Sequence, residues 1–247
     1  MPMQKEMRSE WVKAGYERGM GSAEVVPPPH ADFIRVYHLT STEYAISNIA
    51  LSRLKVARFA ELNDPFELLA ANCMDAPVRK AAQSHKKAFN TRFGVLCFCA
   101  NWTNPVMWSH YGARHTGIAL GFDLRRSRAQ PVRYEEKRLS LDEAKPGELS
   151  SHVKDLLVVT KFKHWEYEQE QRVIINLKDC RAEGARHFKS FNNDLRLAEV
   201  ILGPLCDIEL DEMRALVRIK DPHVKVYKSR PAFGGFTIVP KESTVDW

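Results

Sequence analysis

The chain has 247 residues, of which 44% are hydrophobic and 28% charged; this places it among ordinary globular proteins with enough apolar material for a real core. No apolar run approaches the roughly 18 residues of a bilayer-spanning helix, and the first 21 residues are charged and lack an apolar stretch, so neither a membrane span nor a secretory leader is expected. The net charge of +6 is a mild bias that a solvated basic surface meets most simply; no block of like charge and no zinc-finger or RNA-recognition signature accompanies it.

Residues 1–30 read as an arm closed by Pro27, Pro28 and Pro29, and residues 31–247 as a single α+β domain. Phe33–His38 alternates as a strand, with Phe33, Arg35 and Tyr37 on one side and Ile34, Val36 and His38 on the other. Thr40 and Glu43 fit a capping box that opens a helix running to about Ala50. A short strand is expected over Lys55–Phe59, and Asn63-Asp64-Pro65 is turn chemistry, because a residue before proline avoids the helical region.

A helix over Pro77–Thr91 leads into a strand over Val95–Ala100. Cys97 and Cys99 alternate on one face of that strand. The five cysteines form no CxxC pair and are odd in number, so buried thiols of a reducing cytoplasm are expected rather than a disulfide or metal framework. Asn104-Pro105 reads as the cap and first position of a helix that carries Met107, Trp108, Ser109, His110 and Tyr111 and ends at Gly112. Gly117–Phe122 is a strand with Ile118, Leu120 and Phe122 on one face. A helix over about Leu149–Thr160, strands over Arg172–Leu177 and Leu197–Leu202, a helix over Ile208–Ile219 and strands over Val224–Tyr227 and Phe236–Val239 complete the pattern. Many short strands with helices between them predict a mixed, mainly antiparallel, split sheet with flanking helices. There is no GxGxxG or GxxxxGK[ST], which argues against Rossmann and P-loop nucleotide sites.

Three segments carry polar residues suited to chemistry. His38 ends a strand, where an imidazole hydrogen-bonds a ribose or phosphate, or works as an acid or base; a histidine held by a backbone carbonyl fits equally. Asn63-Asp64 either pins a turn or closes one wall of a pocket. On the Trp108–Tyr111 helix, Trp108 and Tyr111 share a face, whereas the neighbours Ser109 and His110 diverge by roughly 100° and form no dyad by adjacency. Core packing alone explains Trp108. A helix start beside a pocket would offer backbone amides to a pyrophosphate. In Trp165–Arg172, read as extended, Glu168, Glu170 and Arg172 project to one side. They form either a salt-bridged ladder or a site where carboxylates orient a ribose hydroxyl, stabilise an oxocarbenium-like transition state or hold a divalent metal.

Tyr37-His38, Asn63–Glu67, Cys97-Phe98-Cys99, Met107–Tyr111, Gly117–Asp123, Trp165–Arg172 and Val200–Gly203, in that order and spacing, resemble a bacterial family known as domain of unknown function 2971, over roughly residues 33 to 205. The same plan is similar, more distantly, to the ADP-ribosyltransferase-like fold. That fold has a polar residue on a first strand, a hydroxyl or aromatic on a middle element and a glutamate opening a late strand. His38, then Tyr111 or Ser109, then Glu170 fill those places, although no Ser-Thr-Ser motif marks the middle position.

The resemblance implies NAD as substrate, with Glu170 catalytic and Glu168 its accessory. It implies that His38 holds the adenosine ribose or a phosphate, that Tyr111 or Trp108 stacks on nicotinamide, and that Arg172 orients Glu170 or a phosphate. Tyr37, Asn63, Ser109 and His110 line the same site in that reading. The acceptor would be a protein, a nucleic acid or water, in a cytoplasmic phage-defence or toxin setting. Two alternatives stand beside it: a non-enzymatic binding or regulatory domain on the same fold, and a metal-assisted hydrolase or nuclease using Asp64, His110, Glu168 and Glu170.

Overall fold

The computed structural model describes residues 26–140 and 149–241; the expected arm lies, but for residues 26–30, outside them. In chain order the elements are β1 (Phe33–Thr40), α1 (Thr42–Leu51), β2 (Arg53–Val56), α2 (Ala76–Arg92), β3 (Phe93–Cys99), α3 (Pro105–Tyr111), β4 (Ile118–Arg125), β5 (Gln130–Pro131), β6 (Arg133–Glu135), α4 (Ser151–Val159), β7 (Thr160–Phe162), β8 (Glu170–Asn176), β9 (Arg181–Glu183), β10 (Arg186–Ser190), β11 (Leu195–Leu202), α5 (Leu210–Lys220), β12 (Lys225–Pro231) and β13 (Ile238–Pro240). The α+β class is as expected, and most strand pairs are antiparallel. Among the described residues no helix is long and apolar enough to cross a membrane.

The described residues fall into two compact units, each assembled from separated stretches of chain. The first takes the chain up to Leu51, Asn101–Asp123 and everything from Arg196 on. Its strands are hydrogen-bonded in the order β13-β12-β11-β4-β1. β11 and β12 run parallel, Glu199 opposite Lys225, and the crossover that a parallel pair needs is α5. Met213 and Val217, four apart on α5, are buried, and the helix packs on β12 and α1.

The sequence pattern of β4 shows one apolar face, but the structure buries Ala119 and Gly121 as well as Ile118, Leu120 and Phe122, as in a strand covered on both faces. Gly121 is there because a Cβ at that position would collide with Cγ of Glu199. α3 begins as predicted. Pro105 occupies its first position, and the Asn104 side chain accepts the Val106 N–H at 2.8 Å. Beyond Gly112 three successive residues, Ala113, Arg114 and His115, adopt left-handed φ values of 48, 55 and 72°, turning the chain towards β4.

The second unit takes Ser52–Ala100 and Leu124–Leu195. β3 and β8 pair antiparallel from Phe93 opposite Asn176 to Cys99 opposite Glu170. β5 lies along the other edge of β8, with Gln130 opposite Arg172. β2, β10 and β9 form a separate antiparallel set, and β6 runs parallel to β7. Phe59, Leu68, Ala82, Val95, Leu157 and Val158 form the core of this unit. α2 is largely polar and buries only Ala82 completely; it is anchored at its end by Phe89, whose ring meets Phe59 edge-on at 5.3 Å.

Three local expectations change. α1 starts at Thr42, because Thr40 is still paired as the last residue of β1. The strand expected over Lys55–Phe59 is shifted back to Arg53–Val56, and Phe59 opens a short 3-10 turn with its ring in the core. The Trp165–Arg172 stretch is not one strand: Lys163–Glu168 is a 3-10 turn, and β8 begins only at Glu170.

Candidate functional site

Arg172 is the centre of a cluster of acids and bases that converge within the second unit. It is the third residue of β8 and has no exposed surface. Its Nε and Nη2 donate to the two oxygens of Glu170 at 2.8 and 3.1 Å. Nη2 and Nη1 donate to the two oxygens of Glu67 at 2.6 and 2.9 Å. The remaining Nη1 hydrogen goes to the Val158 carbonyl at 2.7 Å. A guanidinium has five N–H donors in a fixed fork, and here each meets an acceptor. Two bidentate carboxylates are what this geometry is suited to.

The turn that delivers Glu67 was legible, but its purpose was not. Asp64 is buried, and its Oδ1 accepts the Phe66 N–H at 2.9 Å while its carbonyl accepts that of Glu67. This is an Asx turn, so Asp64 holds the loop and Glu67 reaches the arginine. Asn63 on the same turn is exposed.

Lys161, in the middle of β7, completes the cluster. Its Nζ donates to Glu168 at 2.5 Å and lies 3.4 Å from Glu170, over the Trp165 ring at 4.6 Å. Glu168 and Glu170 share this lysine because Gln169 between them is left-handed, with φ 45° and ψ 48°. A continuous strand would also have put the two acids on one side; the structure does it with a turn and a kink. Gln169 is held there by its own N–H on the Glu166 carbonyl and by its carbonyl accepting from Ala100. The Tyr134 hydroxyl accepts the Glu170 N–H at 2.7 Å.

Cys97 lies opposite Arg172 in the β3–β8 register, and its thiol donates to Glu170. Burial first, and then the Glu170 charge, push that thiol well above its usual range, so it is a hydrogen-bond donor rather than a nucleophile.

Three carboxylates and two cations buried together titrate unlike exposed acids. Burial raises Glu170, but the charge and hydrogen bonds of Arg172 and the charge of Lys161 outweigh it and hold it below the ordinary 4.5. For Glu67 burial wins over Arg172, and its pKa stands above 4.5. Burial alone would lower Arg172 and Lys161; the glutamates raise both. The linkage has opposite signs for the two acids. Glu170 contributes stability that is present above pH 4.5 and lost as pH falls through its lower folded value. Glu67 favours the protonated fold, and that contribution is lost as pH rises through its higher folded value. Urea unfolding followed from pH 3 to 7 should therefore show a shallower acid loss of stability in Glu170→Gln and a steeper one in Glu67→Gln than in the parent chain.

The remaining expected site residues belong to the first unit. Tyr37 donates to Glu199 at 3.1 Å, and Arg35 donates to Glu199 at 2.8 Å and to Asp123 at 2.7 Å. The Tyr227 hydroxyl donates to the other Glu199 oxygen at 2.5 Å. Arg35 and Tyr37 thus share a face, as the alternation in β1 predicts, and both are committed to a buried carboxylate. His38, on the opposite side of β1, is half-buried.

Trp108 is fully buried; its indole N–H donates to the Trp102 carbonyl at 2.6 Å, and the two rings meet edge-on. It is a core residue, and no face of it is presented to a ligand. Ser109 and His110 are exposed and Tyr111 half-buried, the His110 and Tyr111 rings 6.1 Å apart. Glu67, Lys161 and Tyr134 in one unit, and Glu199 and Tyr227 in the other, were not singled out from the sequence. Of these, Glu67 alone lies within one of the motifs, as the last residue of Asn63–Glu67. Among the described residues no group of three or more histidine, cysteine, aspartate or glutamate side chains is arranged to hold a metal ion. Asp64 and His110, two of the ligands the metal-dependent alternative needs, belong to different units. Compared with family models, curated proteins and solved structures, the chain matches none.

Proposed function

We propose that the protein is an NAD-dependent, ADP-ribosyltransferase-like enzyme in which Glu170 stabilises the oxocarbenium-like state as the nicotinamide–ribose bond breaks. The observation that carries this reading is the state of Glu170. It opens β8, its carboxylate is kept ionised, and its direction is fixed by two cations, with Glu168 on the same lysine. A transition state that develops positive charge is stabilised by an anion already oriented before the reaction, in surroundings that exclude water. In this reading Arg172 and Lys161 are positioning residues and Glu168 is the accessory acid. Trp108 is buried in the first unit, so no stacking role falls to it. The acceptor is a protein side chain, a nucleic acid or water, and the resemblance in motifs suggests phage defence or a toxin system as the setting.

One observation favours a second reading, a binding or regulatory domain whose ion cluster only holds the fold: Glu170 is 5% exposed, and every N–H of Arg172 is used within the protein. NAD turnover separates the two. Purified protein, alone and with cell extract, is expected to release nicotinamide from NAD. Glu170→Gln is expected to abolish the release with its circular dichroism unchanged. A folded parent chain that neither turns over nor binds NAD at millimolar concentration sinks the transferase reading.

A further inference from the structure

The β12–β13 hairpin lies wholly in the first unit and ends in a bare apolar tip, Phe233-Gly234-Gly235-Phe236. The Ala232 N–H donates to the Thr237 carbonyl at 2.8 Å and closes it. Phe236 is fully exposed, at 103%, and Phe233 is 57% exposed. A Cβ built on Gly235 would meet nothing within 4 Å, so the tip stands in open space. One exposed apolar residue is ordinary, but two rings bracketing one tip make a surface. The root beneath them is fixed. The Thr103 carbonyl accepts both the Ile238 N–H at 2.7 Å and the Thr237 hydroxyl at 3.1 Å. The Arg230 guanidinium lies 4.2 Å from the Phe233 ring centre and donates to the Pro231 carbonyl. A tip held in this way needs little further ordering when it binds.

The second observation is charge. From Lys225 to Lys241 the chain carries four bases, Lys225, Lys228, Arg230 and Lys241, and no acid. The Lys241 N–H donates to the Lys228 carbonyl at 2.8 Å, which sets these two residues opposite each other, one step beyond the Ser229–Pro240 pair. Their side chains leave the hairpin on one face, where like charges repel. Both are half-exposed, and among the described residues neither is in an ion pair. Lys228 and Arg230, two apart on β12, share that face, and the ring over Arg230 puts Phe233 on the lysine side of the hairpin.

We infer that this hairpin docks the protein on a bilayer surface bearing anionic headgroups. Phe233 and Phe236 enter the boundary of the hydrocarbon, and Lys228 and Lys241 meet headgroup oxygens. One weak signal gives marginal membrane binding, and an apolar insertion combined with basic groups gives two. Docking of this kind needs no spanning helix. A nucleic acid fits the tip less well, because no side chain from Ala232 to Phe236 can donate to or accept from a base edge, and Arg230 is buried. The inference is independent of the transferase reading: a chain that docks on such a surface and never cleaves NAD satisfies it.

Co-sedimentation of the full chain with vesicles is the test. Binding is expected to vesicles of equal parts phosphatidylserine and phosphatidylcholine, and several-fold weaker to phosphatidylcholine alone. Phe236→Ser is expected to weaken binding about tenfold or more, the effect of losing one buried phenyl ring. Lys228→Gln and Lys241→Gln are each expected to weaken it about fivefold. Phe236 is fully exposed and both lysines are half-exposed, so the variants should fold, which circular dichroism checks. An oligothymidylate offers phosphates and stackable bases without hydrocarbon, and it is expected not to displace the vesicles. No binding of the parent chain to the anionic vesicles, equal binding to both vesicle types, binding that Phe236→Ser leaves unchanged, or displacement by the oligothymidylate overturns the inference.

Discussion

Arg172→Met is expected to lower the unfolding free energy by about 3–5 kcal/mol, the usual consequence of removing one partner from a buried ion cluster. The size follows from what is left behind. Glu67 and Glu170 would each lose one bidentate contact, and the Val158 carbonyl would lose its donor. Lys161 alone would remain near three carboxylates. Arg172→Lys is not expected to rescue the chain, since one ammonium cannot replace five donors aimed at two carboxylates and a carbonyl. Glu67→Gln combined with Arg172→Met should cost less than the sum of the two changes, because the second removes a charge the first has orphaned. Urea unfolding measures this as a shift of the midpoint at unchanged slope. A loss below about 1 kcal/mol in Arg172→Met would mean that the cluster is solvated rather than buried.

That cluster shows where reading a sequence stops. Glu168, Glu170 and Arg172 could be placed on one side because they alternate within five residues, and the register of β3 against β8 puts Cys97 with them. Glu67 and Lys161 are 105 and 11 positions from Arg172 in the chain. Nothing local in the sequence marks an acid that follows a turn, or a lysine in a three-residue strand, as members of the same group. Helices α2 to α5 lie within about two residues of their expected bounds, and α2 and α3 have proline at their first turn and a capping residue or clear period. The strands that were missed, β5, β6, β7, β9 and β10, are two to five residues long and mostly polar, too short for alternation to register. Gln169 has the same origin: a left-handed non-glycine residue is held by its tertiary surroundings, and its identity gives no warning.

The buried cluster and the proposed chemistry make opposite demands on Glu170, and this gives the stability and turnover measurements a common meaning. A carboxylate held between Arg172 and Lys161 is preorganised, which suits transition-state stabilisation. The same burial leaves a substrate little access until neighbouring groups yield. If Glu170→Gln abolishes nicotinamide release while costing little stability, the cations serve the acid. If it costs stability and the parent chain has no turnover, the acid serves the cations.

Trp108→Ala is expected to cost about 3–5 kcal/mol, as for any fully buried large aromatic side chain truncated to a methyl group. The cavity would open at the end of an aromatic chain. Trp108 meets Trp102 edge-on at 6.5 Å, and Trp102 meets Tyr227 at 6.1 Å. Tyr227 in turn holds Glu199, together with Tyr37 and Arg35. Trp108→Phe keeps most of the volume but removes the N–H that the Trp102 carbonyl accepts. Its expected loss is about 1–3 kcal/mol, the cost of a buried acceptor left without a donor. Thermal unfolding ranks the three chains, and nicotinamide release per folded molecule is the second readout. For a core residue, stability falls in the order Trp, Phe, Ala, while turnover per folded molecule in Trp108→Phe stays at the parent value. A Trp108→Phe chain as stable as the parent but unable to bind NAD would overturn the assignment of this ring to the core.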